Sequence, residues 1–215
     1  MTTFPGSPRL LKGALVGVGL FGLLESTVVF QYNPDTMTRR LEPRSAKPEG
    51  EKGDVTRLSG PPKETITVSI EIDATDQLEQ NDPLAAASGI APTLAALELM
   101  LYPKSPLVIA NTILSALGTI EILPAEGPLI LFVWGPTRVV PVQVTGLSIT
   151  EEAYDTLLNP IRAKVELTLL VLGYNDLQTT SLGRALFLVH QVTKEALGLA
   201  NTFTNVQNIG TALKF

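Results

Sequence analysis

Along this chain, hydrophobic and polar positions alternate most cleanly between Thr65 and Asp73 (TITVSIEID). Ile66, Val68, Ile70 and Ile72 fall on one side, and Thr67, Ser69 and Glu71 on the other. That period of two predicts a strand with one face buried and one wet. Apolar β-favouring runs at Leu10 to Val18, Val28 to Tyr32, Leu129 to Trp134, Val139 to Thr150 and Ala163 to Leu172 predict further strands. The last two flank Glu151 to Pro160 and suit a long antiparallel pair. Two segments change to helical spacing. Leu94, Leu97 and Leu101 recur after Pro92 until Tyr102-Pro103 stops the run, and Leu182, Leu186, Val189, Thr193, Ala196 and Ala200 form a narrow stripe. The pattern therefore predicts an α+β, mainly β protein with a packed helix and a C-terminal helix. Residues 1–178 are expected to form the β domain and 179–215 the helix and tail.

Between these elements lies Arg44 to Lys63 (RSAKPEGEKGDVTRLSGPPK), dense in charge, Pro and Gly. It has little to bury and is expected to be an exposed loop. Phe30 to Pro43 (FQYNPDTMTRRLEP) admits two readings. Asn33, Asp35, Arg39 and Arg40 suit a small site for phosphate or carboxylate. Alternatively, Asn33-Pro34-Asp35 is a turn between two strands with no chemistry, and turn physics favours this, since Pro presets φ and Asn and Asp bond back to the backbone.

Composition narrows the function classes. The chain has 215 residues, 45% of them hydrophobic, few aromatics and a net charge of −5, without the basic face of a nucleic-acid binder. The absence of cysteine excludes disulfide scaffolds, thiolate metal sites and cysteine catalysis, and fits assembly in a reducing cytoplasm. Ala14 to Leu24 follows Arg9 and Lys12 like a signal peptide, but it runs through Glu25-Ser26-Thr27 into a β-type run with no cleavage signature. Leu107 to Ile120 carries no charge but spans only 14 residues, short of the ~20 that cross a bilayer as a helix. No membrane insertion is expected. Instead, Leu107, Ile109, Ile113 and Leu117 are candidates for a subunit interface.

Three motifs suggest chemistry and then lose it. Gly17-Val18-Gly19-Leu20-Phe21-Gly22 matches G-x-G-x-x-G, yet only Leu23 to Thr27 separate it from the next β-type run. A dinucleotide-binding crossover needs at least ~10 residues including its helix, so a glycine-rich turn or bulge is expected. Asp73, Asp76, Glu79 and Asp82 lack the alternation and bend glycine of a calcium loop. Helix capping explains them, with Asp76-x-x-Glu79 as a capping box and Asp82 before Pro83 as a cap. His190 is the only histidine, and nothing marks a nucleophile and acid around it. No catalytic, cofactor-binding or metal-binding residue is assigned, no cofactor is implied, and no enzyme is expected.

Several long segments, read in order, resemble a known family. They are LLKGALV, VVFQYNPDTMTRRLEP, PPKETITVSIEIDATDQLEQNDP, TLAALELMLYP, LILFVWGPTRVVPVQVTGLSITEEAYDTLLNPIRAKVELTLLVL and LFLVHQVTKEAL. Together they resemble the tube-initiator or tube-to-baseplate adaptor proteins of extracellular contractile injection systems, which are phage-tail-like particles. The resemblance implies a tail-tube β-sandwich or barrel and a homo-hexameric ring joining the inner tube to the trimeric spike hub and baseplate. It implies assembly in the cytoplasm within a particle that is then released. It also implies that Thr67, Ser69 and Glu71 line the channel. Members often continue into a C-terminal LysM module, which NTFTNVQNIGTALKF does not provide, so adaptor and plain initiator both stay open. The alternative is a binding module that docks cargo or cell envelope through residues 107–120.

Overall fold

The computed structural model describes residues 11–19, 24–44, 58–103, 105–116 and 127–212, for 107 and 207–212 the backbone alone. Among the described residues, seven strands form one antiparallel sheet: β1 (Ala14–Val18), β2 (Leu24–Val29), β3 (Met37–Glu42), β4 (Lys63–Asp73), β5 (Leu129–Val133), β6 (Val139–Tyr154) and β7 (Pro160–Val171). Their spatial order is β2-β1-β5-β6-β7-β4-β3. The helices described with them are α1 (Thr75–Glu79), α2 (Pro83–Ser88), α3 (Ala91–Glu98), α4 (Ser105–Ala116) and α5 (Leu182–Ala212). The fold is thus α+β and mainly β, but the sheet is open, with β2 and β3 as its edges.

β6 makes the sheet turn. Its first residues, Val139 to Val142, pair with β5, whereas Val142 to Tyr154 pair with β7. The register shifts between Val144 and Gly146, and such a bulge bends and twists its strand. The two halves consequently share one core. Leu15, Val28 and Phe132 from the first half lie in the same cluster as Ile66, Val68, Ile70, Val165 and Leu167 from the second. Leu94 and Leu97 of α3 and Phe187 of α5 join it.

β4 follows the sequence period. Ile66, Val68, Ile70 and Ile72 are buried, Thr67 and Glu71 are exposed, and Ser69 is half-buried. A one-residue slip would expose four branched side chains at roughly 1.5–3 kcal/mol each, and the continuous pairing from Glu64–Val171 to Asp73–Arg162 holds the register.

Several expectations need correction. The second strand is Leu24–Val29 rather than Val28 to Tyr32. Phe30, one residue past it, still donates its N–H to the Gly13 carbonyl at 2.8 Å and packs its ring against Phe132 and Trp134, each 6.4 Å away between ring centres. β6 and β7 extend into Glu151 to Pro160, leaving only Asp155 to Asn159 as the turn. α3 ends at Glu98, and Leu101 is exposed. On α5 the buried positions are Gly183, Phe187 and His190, whereas Val189, Ala196 and Ala200 of the expected stripe are exposed, because the helix lies on the sheet through only its first turns. Residues 45–57 of the expected loop, Leu117, and the side chain of Leu107 lie outside the described residues.

Candidate assembly surfaces

In the turn-containing segment FQYNPDTMTRRLEP, Gln31, Asn33 and Arg39 tie elements of the fold together. The Asn33 side chain accepts from Gly13 N at 2.9 Å and donates to the Leu11 carbonyl at 2.8 Å, fixing the start of β1. Gln31 Oε1 accepts from Asp73 N at 2.9 Å, tying the chain after β2 to the end of β4. The two arginines point opposite ways on β3. Arg40 is exposed and pairs with Glu42 at 2.9 Å. Arg39 turns inward and meets buried Glu64 through Nε at 2.7 Å and Nη2 at 2.6 Å. No shared anion site results.

Glu64 is the centre of an internal ionic cluster, since Lys194 of α5 also reaches its Oε2 at 3.2 Å. Burial alone would raise the Glu64 pKa, but the hydrogen bond from Arg39 and the charge of Lys194 outweigh it and hold it below 4.5. His190, one turn before Lys194, is buried with Nδ1 3.1 Å from the Thr137 carbonyl. Burial, then the charge of Lys194, lowers its pKa below 6.5, so the imidazole is neutral near pH 7. The cluster docks α5 on β3 and β4.

The acidic run is likewise structural. Asp73 accepts from the backbone N–H of Thr75 at 2.7 Å and from its hydroxyl, and pairs with Arg162 at 2.7 Å. Asp82 caps α2, accepting from Leu84 N at 2.8 Å, with Pro83 in the first turn. The expected capping box is absent: α1 starts after Ala74, which offers no side-chain cap, so Asp76 lies inside the first turn. Among the described residues, no group of three or more His, Asp or Glu side chains is placed to hold a metal ion. The glycine-rich motif begins within β1, which pairs antiparallel with β2 and has a register shift at Gly17/Val18. An antiparallel pair excludes the parallel crossover of a dinucleotide fold.

Three surfaces remain. The first is a polar wall on the outer face of β3, β4, β7 and β6. Its cross-strand rows are Thr38–Thr67–Thr168, then Ser69–Glu166–Ser148, then Glu71–Lys164–Thr150. Carboxylates and cations are interleaved, so the wall carries no single-sign field. Thr67, Ser69 and Glu71 are brought together here, at its centre.

The second is α4. Ile109 and Ile113 are exposed, together with Val108 and Leu114. Between α4 and the end of α3 lies an open apolar depression of about 800 Å³, lined by Met100, Tyr102, Val108 and Thr112 among others. The third was not foreseen. At the β6–β7 turn, Leu157 and Leu158 are 77% and 79% exposed. Asp155 Oδ1 holds the turn by accepting from Leu157 N at 2.7 Å and Asn159 N at 2.8 Å. Leu158 takes a positive φ of 66°, which costs a bulky residue energy. An apolar pair between two turn-forming residues, Asp155 and Asn159, was the available signal.

Among the described residues, no helix is long and apolar enough to cross a membrane. Compared with known proteins, the chain matches no family model and no curated protein.

Proposed function

We propose that this protein is a structural, non-enzymatic ring component of a contractile injection system, joining the inner tube to the spike hub and baseplate. The division of its surface carries this reading: one broad sheet face is polar and evenly charged, while large apolar side chains emerge on α4 and the β6–β7 turn. A tube subunit needs both, a wet wall toward the bore and apolar contacts toward its neighbours. In this reading the open sheet becomes part of a closed barrel only in the assembled ring, where the edges β2 and β3 meet neighbouring copies. Six copies are proposed from the resemblance described above. Thr67, Ser69 and Glu71 then face the channel, and Ile109 and Ile113 face a neighbouring subunit or ring.

Cysteines placed singly at 67, 69 and 71 of assembled particles test this. They are expected to react with a small polar thiol reagent, and those at 68 and 70 to stay protected. Native mass measurement should give a six-fold ring. Labelling at 68 and 70, or a chain that never assembles beside its particle partners, refutes the proposal. The depression beside α4 favours a second reading, a module that holds an apolar cargo or envelope segment. A persistent monomer that retains such material supports that one.

A further inference from the structure

α5 packs through Gly183, Phe187 and His190, and Lys194 makes its last contact with the body. From Glu195 to Val206 every residue is exposed. A second apolar stripe runs from Leu182 to Val206 at intervals of alternately three and four residues. At 100° per residue its centre lies about 165° around the helix from the packed face. Its two alanines are exposed, and its six larger members are between 50% and 70% exposed. Its period of 3.5 is that of a left-handed coiled-coil seam, and its length is about 36 Å. The projecting part also contains Gly198, Asn201, Thr202, Thr204 and Asn205. These are poor helix formers, and an isolated helix of such composition is marginal in water. The seam calls for another helix.

We propose that the partner is α5 of a second copy, laid antiparallel, which holds free subunits as pairs. The sizes of the seam residues select this arrangement. Antiparallel pairing centred between Val192 and Ala196 sets Leu182 against Val206, Ala185 against Phe203, Val189 against Leu199, and Val192 against Ala196. Each layer then contains no more than one of the largest side chains, and the smallest residue faces the bulkiest. A parallel pair would stack Phe203 on its own copy and leave two alanine layers underfilled, the over- and underpacking that cores resist. The seam has no charge to select an acidic or basic partner, and Glu195 is the only charged residue flanking it between Leu186 and Thr202. In this arrangement the bodies attach near opposite ends of the pair and on its outer sides. The pairing has two-fold symmetry and is not the contact between neighbours around a six-fold ring. It stands or falls separately from the proposed function.

The test uses the purified full chain, which has no native cysteine. Sedimentation at tens of micromolar is expected to show a dimer. Val192→Asp, exposed in the single chain, should leave the fluorescence of Trp134 in the body and its unfolding midpoint unchanged and weaken the dimer at least roughly a hundredfold. A Val189→Cys/Leu199→Cys double variant should form a disulfide-linked dimer on mild oxidation, and Val189→Cys alone should not. A monomeric wild-type chain overturns the proposal. Efficient crosslinking of Val189→Cys to itself overturns the antiparallel register.

Discussion

Replacing Glu64 by Gln removes one charge and alters little in volume, and its effect can be sized from the cluster geometry. The Glu64 carboxylate is only 7% exposed and accepts from Arg39 at 2.6 and 2.7 Å and from Lys194 at 3.2 Å. Breaking a fully buried ion pair costs about 3–5 kcal/mol. Here the Arg39 and Lys194 side chains are 26% and 42% exposed, so both cations recover part of their hydration. Gln also still offers Arg39 one oxygen. A loss of about 2 kcal/mol is expected, in line with charged hydrogen bonds, and a fall in Tm of roughly 4–8 °C for a chain of this size. The sign of the pH dependence follows from the carboxylate held below 4.5. Its contribution is fully present above that value and is lost as pH falls through the lower folded value. Thermal unfolding of both proteins at pH 7 and at pH 3 checks this. The deficit of Glu64→Gln should shrink in acid. Equal Tm values at pH 7, or a deficit that persists undiminished at pH 3, would refute the assignment of Glu64 as the charged anchor of α5.

His190, neutral and below its ordinary 6.5, makes the unfolded chain bind more protons. Stability should therefore begin to fall as pH drops beneath 6.5, and His190→Gln should flatten that slope in urea titrations between pH 7 and 5. Gly89 has φ 56°, and a Cβ there would run into the Pro160 carbonyl. Gly89→Ala should cost about 2 kcal/mol or more by chemical denaturation, and an unchanged midpoint would disprove the close approach. Ile113→Asp, at an exposed position of α4, should leave the isolated subunit as stable as wild type while abolishing particles seen by electron microscopy. Normal particles would remove α4 from the proposed interface.

The strand alternation of β4 was legible because one face is buried and the other wet, whereas β6 and β7 were legible as apolar β-favouring runs. Pairing was less legible. Asn33-Pro34-Asp35 reads as a turn, which suggests that the strands on either side are neighbours. Instead β3 pairs with β4, at the opposite edge from β2, because the turn carries the chain across the open side of the sheet, where Gln31 bonds to Asp73. The inner and outer roles of Arg39 and Arg40 follow only once that pairing is known. Stripes on α5 were misread for a related reason. Leu182 to Ala200 satisfies a helical period, but the packed face is chosen by what lies beneath it, and Gly183 lets α5 approach Leu129 and Leu177 closely. The Glu64 cluster joins residues 130 positions apart, and no local pattern announces it. The polar wall, by contrast, was half visible in Thr67, Ser69 and Glu71, and needed only the register of β7 to complete it.

The two edges of the sheet are unequally protected, and this bears on how the protein behaves at high concentration. β3 is bracketed by Pro34 and Pro43 and carries Arg40 and Glu42 outward, devices that discourage stray strand addition. β2 carries one charged side chain, Glu25, beside exposed Leu24 and Val29, and its Ser26 hydroxyl donates to the Ala96 carbonyl of α3 at 3.3 Å. Misassembly should therefore begin at β2. Chains accumulating with that strand uncovered are then a hazard, and the yield of intact protein should fall as expression is raised.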